Sequence, residues 1–549
     1  MRLEHFGCRA HGRSTATASA TRWMSRGGSC SIANDKHQTA ASAREYPGEP
    51  LADAAGCSTD GRFITRAARR QPAEAWTLPD SPGPQVGVST GGRLPLSNLN
   101  PLAVTRIPLT GELLSFRPSA RNLRRSPMPL DLPAIRSRFP ALQRQTRGRP
   151  IAFFDGPAGS QVPQSVVNAV SDSLLRANAN CGAVFTTSQE NDRLLAESRQ
   201  AVADLLGTGD SDTVAFGANM TSLTLAASRA IASIWKPCDE VIVSQLDHDA
   251  NVTPWVLAAQ DAGATVHSIP LRLEDCTLDL DRYRELLSPR TRLVAVGLAS
   301  NATGTINPVA EMVRLAKAVG ALTFVDAVHY APHGLIDVEA LGCDFLVCSA
   351  YKFFGPHVGI MWGKREWLEA IRPYKLRPSS DELPGRWMTG TQNHEGIAGV
   401  RAAVDHIASL GAVNPDPLPT GTRRAALGRG FEAITFHERA MSQRFLAGLR
   451  STPSLRVWGI TDEQRLVERV PTFSVTHESL TPREMATSLW ARGIQAWHGN
   501  HYALPFTEAA GLEPNGTLRL GALHYNTLEE VDRAIDALRD ILRTRAVSR

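Results

Sequence analysis

Cysteine is scarce and scattered in this chain: eight thiols among 549 residues, none in a CxxC pair and none beside histidines at zinc spacing. That pattern excludes a disulfide-stapled scaffold and a structural zinc site, and no metal is expected. Cys8, Cys30 and Cys57 lie near the N-terminus, and the other five read as reduced thiols of a cytosolic-type protein. No apolar run reaches 18 residues, so no segment qualifies as a membrane-spanning helix. No internal repeat is evident. A broad basic field is missing as well. Residues 1–127 carry 17 Lys+Arg against 9 Asp+Glu, whereas the remaining 422 carry 42 against 45. The net charge of +5 therefore belongs to the first 127 residues, and the body offers no electrostatic footprint for nucleic acid.

What is present divides the chain. Residues 1–127 are rich in Arg, Ser, Ala, Gly and Pro, with Lys36 the only lysine and no sustained apolar periodicity. Such a composition does not bury enough apolar surface to fold. This stretch is expected to be disordered, either an N-terminal extension or an over-extended reading frame preceding Met128. Organellar import through 1–127 is the alternative to a cytoplasmic location, but acidic residues are frequent for a transit peptide. From Ile151, apolar strand-like runs alternate with amphipathic helical stretches. The strands include Thr213–Phe216, Glu240–Ser244, Thr265–Ile269, Leu293–Ala299, Leu322–Asp326 and Phe345–Ser349. Helical stretches at 221–234, 252–262 and 308–319 lie between them. This alternation predicts an α/β fold with a mainly parallel central sheet. Beyond about 405 the order changes to a long helix (422–450), short strands near 454–458 and 469–476, and a helix at 482–491. Strands at 494–497 and 517–521 and a final helix (527–543) follow. The expected organisation is a segment 128–150 packing on the smaller domain, a large domain 151–405 and a smaller C-terminal α+β domain 406–549.

In open parallel sheets, ligands bind beyond the carboxyl ends of the strands. Four strand ends here run into polar residues: His248, Asn301, Asp326 and Lys352. Each alone is an ordinary turn or helix cap; four on one rim suggest chemistry. A lysine at the end of the buried run Phe345-Leu-Val-Cys348 loses hydration, which lowers its pKa and suits Schiff-base formation. The set fits pyridoxal 5′-phosphate (PLP). Lys352 would hold the aldehyde as an aldimine and shuttle the substrate Cα proton. Asp326 would pair with the pyridine nitrogen, and His248 would stack on the ring. Asn301 and His329 would lie near the ring oxygen. The turn Gly217-Ala218-Asn219, between a strand and a helix, offers backbone N–H groups to a phosphate, and Ser349 adds a hydroxyl.

Several segments carry a resemblance. They are Phe154-Asp155-Gly-Pro-Ala-Gly-Ser160, Asp247-His248-Asp-Ala-Asn251-Val-Thr-Pro-Trp255, Ser300-Asn301-Ala-Thr-Gly304-Thr305, Val325-Asp326-Ala327 and Ser349-x-x-Lys352-x-x-Gly355-Pro356. In this order, with 26 residues from Asp326 to Lys352, they resemble the class V aminotransferase family of fold-type I PLP enzymes, in its cysteine desulfurase/selenocysteine lyase branch. The resemblance implies the PLP-dependent transferase fold and a homodimer with shared active sites. Gly390-Thr391-Gln392-Asn393 resembles the segment that reaches a neighbouring subunit's phosphate, which implies a cofactor role for Thr391. Arg519 aligns with the arginine that clamps the substrate α-carboxylate, a task to which the guanidinium fork is matched.

The chain departs from that branch on the substrate side. The mobile nucleophilic cysteine of the desulfurases is replaced by Tyr502, in the frame Gly499-Asn-His501-Tyr502-Ala503-Leu-Pro505. A phenol does not accept sulfur as a thiolate does. Cys181 is a candidate substitute on a loop; Cys343 and Cys348 read as packed small hydrophobes. His329 stands where glutamine is usual, Tyr351 where histidine is common, and Trp497 where several relatives have arginine. The expected function is therefore a PLP-dependent, cysteine desulfurase-like enzyme acting on an amino acid without a protein persulfide. An aminotransferase or epimerase of the same superfamily is the second reading, and a non-catalytic PLP-binding scaffold the third. The substrate and product are not written in these residues. A polypeptide that begins at Met128 is expected to fold, dimerise and bind PLP; an insoluble or colourless product would contradict the reading of 1–127.

Overall fold

Seven strands form the main sheet of the computed structural model, which describes residues 129–411, 423–452 and 454–547. The disorder expected for 1–127 lies outside the described residues. In chain order the strands are β1 (Val214–Gly217), β2 (Glu240–Ser244), β3 (Thr265–Ile269), β4 (Thr291–Gly297), β5 (Leu322–Asp326), β6 (Phe345–Ser349) and β7 (Gly359–Gly363). Across the sheet they lie in the order β1-β7-β6-β5-β4-β2-β3. Pairings from β6 through β5, β4 and β2 to β3 are parallel, and β7 is antiparallel to both its neighbours. The mainly parallel sheet expected from the α/β alternation is present. The strand β7 is an addition: its run Gly-Ile-Met-Trp-Gly is too short to separate strand from helix by periodicity. The strand expected at Leu293–Ala299 starts two residues earlier and stops at Gly297, where the carbonyl accepts from Asn307 Nδ2 at 2.8 Å.

Both faces of this sheet are buried, as parallel sheets require. Val294, Val296, Val325 and Leu346 point to one apolar layer. Their alternates Leu293, Ala295, Phe324 and Phe345 point to the other. That strict alternation follows from the two-residue repeat of a strand. Helices α1 (Gln164–Arg176), α2 (Met220–Ala232) and α3 (His394–Leu410) are among those that flank it. Helix α3 runs across position 405/406, where the sequence reading divides the two domains.

A second sheet is wholly antiparallel. It comprises β8 (Leu455–Trp458), β9 (Thr472–His477), β10 (Trp497–Gly499) and β11 (Thr517–Gly521), in the order β8-β9-β11-β10. Helices α4 (Arg423–Arg450), α5 (Pro482–Trp490) and α6 (Leu528–Val547) share its apolar core through Phe445, Leu449, Met485 and Leu538. Helix α5 begins with a capping box: Thr481 Oγ1 accepts from Glu484 N, and the Glu484 carboxylate accepts from Thr481 N. The strand expected at 494–497 is two pieces. Ile494–Gln495 pairs in parallel with Ala152–Phe153, and Trp497 begins β10; the chain changes partner at Ala496.

The segment after Met128 touches both halves. Arg136 donates to the Tyr525 carbonyl at 2.7 Å and pairs with Glu530 at 3.0 Å. Phe139, wholly buried, packs edge-on against Phe354 and tilts against Tyr525. Among the described residues, no helix is long and apolar enough to cross a membrane.

One crosswise row links the strands that frame the rim. Gly359 of β7 is paired with Ser349 on one side and Gly217 on the other. A Cβ at Gly359 would lie 2.3 Å from the Asn219 carbonyl carbon, inside contact distance of backbone that has no room to move. Gly359→Ala is therefore expected to lower stability by about 1–3 kcal/mol through overpacking. The control Gly209→Ala, with nothing within 4 Å of its Cβ, should stay within about 0.5 kcal/mol. Denaturant unfolding of the two variants checks the difference.

Candidate active site

The carboxyl ends of β2, β4, β5 and β6 open into one cavity. Asn219, His248, Asn301, Asp326, His329, Ser349 and Lys352 all line it. Four other candidates do not. Gly217, Ala218 and Thr391 line a neighbouring cleft on the far side of the 217–220 turn. Arg519, buried in β11, reaches the cavity wall by donating from Nη1 to the Asn301 carbonyl at 2.8 Å.

Lys352 closes a single 3₁₀ turn, Ala350–Lys352, directly after β6. Only 8% of the residue is exposed. Its Nζ donates to the Pro157 carbonyl and stands 4.9 Å from the Tyr351 ring centre. Burial lowers the pKa of this amine to about 7, the Arg519 guanidinium pushes the same way, and Asp326 opposes both. Asp326, the last residue of β5, accepts from Val328 N at 2.8 Å. Burial raises its carboxyl to about 6, against the lowering effect of the Val328 N–H and Lys352.

His248 caps a 3₁₀ turn, with Nδ1 accepting from Ala250 N at 3.0 Å. Burial, then Lys352 and Arg519, lower its pKa to about 4, so the imidazole is neutral. Asn301 donates from Nδ2 to the His501 carbonyl at 2.8 Å, while its Oδ1 is buried without a hydrogen-bond partner. His329 shares a hydrogen bond with Thr472 Oγ1 at 3.0 Å, and burial holds it well below the usual histidine range.

The turn entering α2 is built by its cap. Asn219 Oδ1 accepts from Ser222 N at 2.8 Å, the usual N-cap bond. Ser349 Oγ accepts from Met220 N at 3.0 Å. Two N–H groups at this helix start are thus already used within the protein, and Thr221 is the next residue on the cavity wall.

A model of the family described as aminotransferase class-V matches residues 152–416 and 426–534. The chain belongs to the class-V aminotransferase family. A cysteine desulfurase of Dickeya dadantii (strain 3937) is 30% identical over 425 residues, spanning 74% of this chain and 96% of the relative. A probable cysteine desulfurase of Vibrio cholerae is also 30% identical, over 75% and 98% of the two chains. Among solved structures, a cysteine desulfurase of Thermococcus onnurineus NA1 superposes with a TM-score of 0.67 at 26% identity, covering 76% of this chain and 99% of that one. The Escherichia coli cysteine desulfurase CsdA gives 0.65 at 26% identity, covering 75% and 99%. The protein is thus a cysteine desulfurase-like member of this enzyme family, with the type I fold expected from its motifs.

Within that family frame, the loop around Tyr502 is pinned. The Tyr502 ring stacks on His248, with centres 5.4 Å apart and planes 13° apart. Its carbonyl accepts from Asp249 N at 2.7 Å. His501 shares a hydrogen bond with Thr517 Oγ1 at 3.0 Å. Cys181 does not line the cavity: its Sγ lies 3.8 Å from His394 Nε2. Burial and Asp192 push that thiol up to about 11, which disfavours the nucleophilic thiolate. Cys343 and Cys348 are buried, as expected of small packed residues.

Sequence reasoning gave no role to Asp247. It is fully buried beside Asn251 Nδ2 at 3.1 Å, hydrogen-bonds Ser244, and lines the cavity. Burial raises it to about 7, with Asp326 adding repulsion. Its place one residue before His248 at the end of β2 is the signal that pointed to it.

In the ligand-free protein, the unfolded chain binds a proton at Lys352 that the folded chain releases between about 7 and the ordinary lysine value of 10.5. This group's contribution to stability therefore rises with pH across that window. Competitive acylation followed by mass spectrometry should show Lys352 half-reactive near pH 7, well below the other lysines. A midpoint at the ordinary lysine value would contradict the desolvated amine.

Proposed function

We propose that the protein is a PLP-dependent enzyme that acts on an amino acid and passes no sulfur through a protein thiol. The observation that carries this reading is Lys352: a buried amine, lowered toward neutrality, at the centre of a closed rim. Three features of the cavity fit PLP. Asp326 is a buried carboxyl suited to a ring nitrogen. Asn301 Oδ1 is a buried acceptor without a donor. The α2 N-terminus, with Thr221 on the wall, suits a phosphate.

Lys352 would hold the aldehyde, Asp326 the ring nitrogen, and His248 a ring face. Asn219 and Ser349 would hold the phosphate end, and Asn301 and His329 the ring oxygen. Gly217, Ala218 and Thr391 line the cleft next door, which supports a role for them at the phosphate of a shared site in a homodimer. PLP, when bound, supplies an electron-withdrawing ring that stabilises negative charge at the substrate α-carbon.

The chain's own residues would do the rest. Arg519 orients the α-carboxylate through its guanidinium fork. With that end fixed, the α-hydrogen is presented to Lys352 Nζ. The amine takes this proton in its neutral form, which burial makes accessible near pH 7, and it returns the proton later as the acid. Pro157 and Tyr351 restrict where Nζ can travel. The low exposure of the rim excludes water from that transfer. Tyr502, in the position of the desulfurase cysteine, has no thiolate to accept sulfur, so any sulfur set free would leave as a small molecule.

Lys352→Ala is expected to abolish both the visible absorbance of bound PLP and all turnover, while the far-ultraviolet circular dichroism stays unchanged. Retention of absorbance and turnover would overturn the assignment. With the wild-type protein, alanine or sulfide release from cysteine supports the desulfurase-like reading. Keto-acid-dependent amine transfer would replace it with the aminotransferase reading.

A further inference from the structure

A second hollow adjoins the cavity just described. Its lining includes Val162, Val166, Val170, Pro356, Tyr351 and Trp497. Tyr351 belongs to both walls, so this ring borders both spaces. The ring is held in place by stacking on His357, with centres 5.0 Å apart and planes 12° apart. Gly159 borders the same ring: a Cβ there would lie in ordinary contact, 3.4 Å from Tyr351 Cδ2.

Arg519 is tied to this hollow three times. Trp497 is its direct cross-strand partner in the β10–β11 pair, so both side chains rise on one face of the sheet. Asp155, which also lines the hollow, and Tyr351 both feel the guanidinium charge. A carboxylate on Arg519 therefore has an indole beside it and an apolar wall within reach. Trp497 is 52% exposed, a large apolar surface left open. The valines offer no hydrogen bonds, and a polar side chain placed against them would lose its water without compensation. Asp155 Oδ1 is buried without a partner, and its carboxyl repels acidic groups.

We propose that this hollow is the side-chain pocket of the substrate, and that it selects amino acids with apolar, above all aromatic, side chains. The inference rests on the carboxylate role given to Arg519 under the proposed function, but it is tested separately from PLP chemistry.

Isothermal titration of the PLP-loaded protein with L-phenylalanine, L-leucine, L-cysteine, L-glutamate and L-lysine reads the preference directly. Phenylalanine and leucine should bind at least about tenfold more tightly than cysteine, glutamate or lysine, in line with burial of an apolar side chain. In parallel, 3-phenylpropanoate and succinate are titrated into the PLP-free protein. Both offer a carboxylate to Arg519 and differ at the far end, and phenylpropanoate should again win about tenfold. Val162→Asp and, independently, Trp497→Arg should erase this preference while the far-ultraviolet circular dichroism stays that of the parent. Equal binding across the series, or a preference for cysteine, glutamate or lysine, would overturn the proposal. Failure to bind PLP while phenylpropanoate is still preferred would sink the cofactor reading and leave the pocket standing. Preserved selectivity in both variants would also overturn it.

Discussion

At the carboxyl edge of the main sheet an amine, a guanidinium and three carboxyls share a space from which most water is removed. Burial acts on all of them in the same sense, against the charged form. Lys352 falls to about 7 and Arg519 to about 9, while Asp155 and Asp326 rise to about 6 and Asp247 to about 7. The opposite charges offset only part of this cost, because Lys352 and Arg519 also repel each other. The rim therefore waits in a state where small charged ligands change the protonation of several groups at once. A carboxylate on Arg519 removes one repulsion from Lys352; a cationic ring nitrogen favours the ionised form of Asp326. The sheet exists in this form to hold that set in place, and the helices on both faces supply the burial that gives it its character.

Much of this was legible in the sequence. The strands Glu240–Ser244, Thr265–Ile269, Leu322–Asp326 and Phe345–Ser349 are short apolar runs bounded by turn residues, and periodicity locates them without help. The polar residues at their ends follow from the direction of a parallel sheet, which is why His248, Asn301, Asp326 and Lys352 could be grouped before any coordinates. What escaped is what depends on pairing across the chain. Strand β7 carries no polar rim residue to mark it, and its insertion between β1 and β6 is a choice of partner. The division of 494–497 between two sheets is another. Arg519 was read from its neighbours in sequence, yet its closeness to Trp497 and Tyr351 is set by register, which a single strand does not display. Asp247 was passed over because an aspartate before a histidine is an ordinary turn pair until both are seen buried.

The loop carrying Tyr502 has an uncommon backbone conformation. His501 and Tyr502 both adopt positive φ, at 58° and 57°, a conformation that most side chains avoid. Such a conformation persists when surrounding contacts hold it. Here the contacts are the stacked His248 ring, the Asp249 N–H, Asn301 and Thr517. A flexible arm would lose them on every excursion. Tyr502 is held by these contacts although most of its surface stays exposed.

The row Gly217–Gly359–Ser349 has a consequence for how the protein tolerates change. Two neighbouring strands, β6 and β7, meet the distant β1 there, and Ser349 also ties the row to the first residue of α2. A Cβ at Gly359 would strike the Asn219 backbone, and one at Gly217 would push on the Leu223 side chain, 2.7 Å away. This crossing works like a keystone: its parts are small, and their smallness lets the arch on either side close. Substitution has room at Trp497 and Tyr502, which border open space. At the keystone it has nowhere to go.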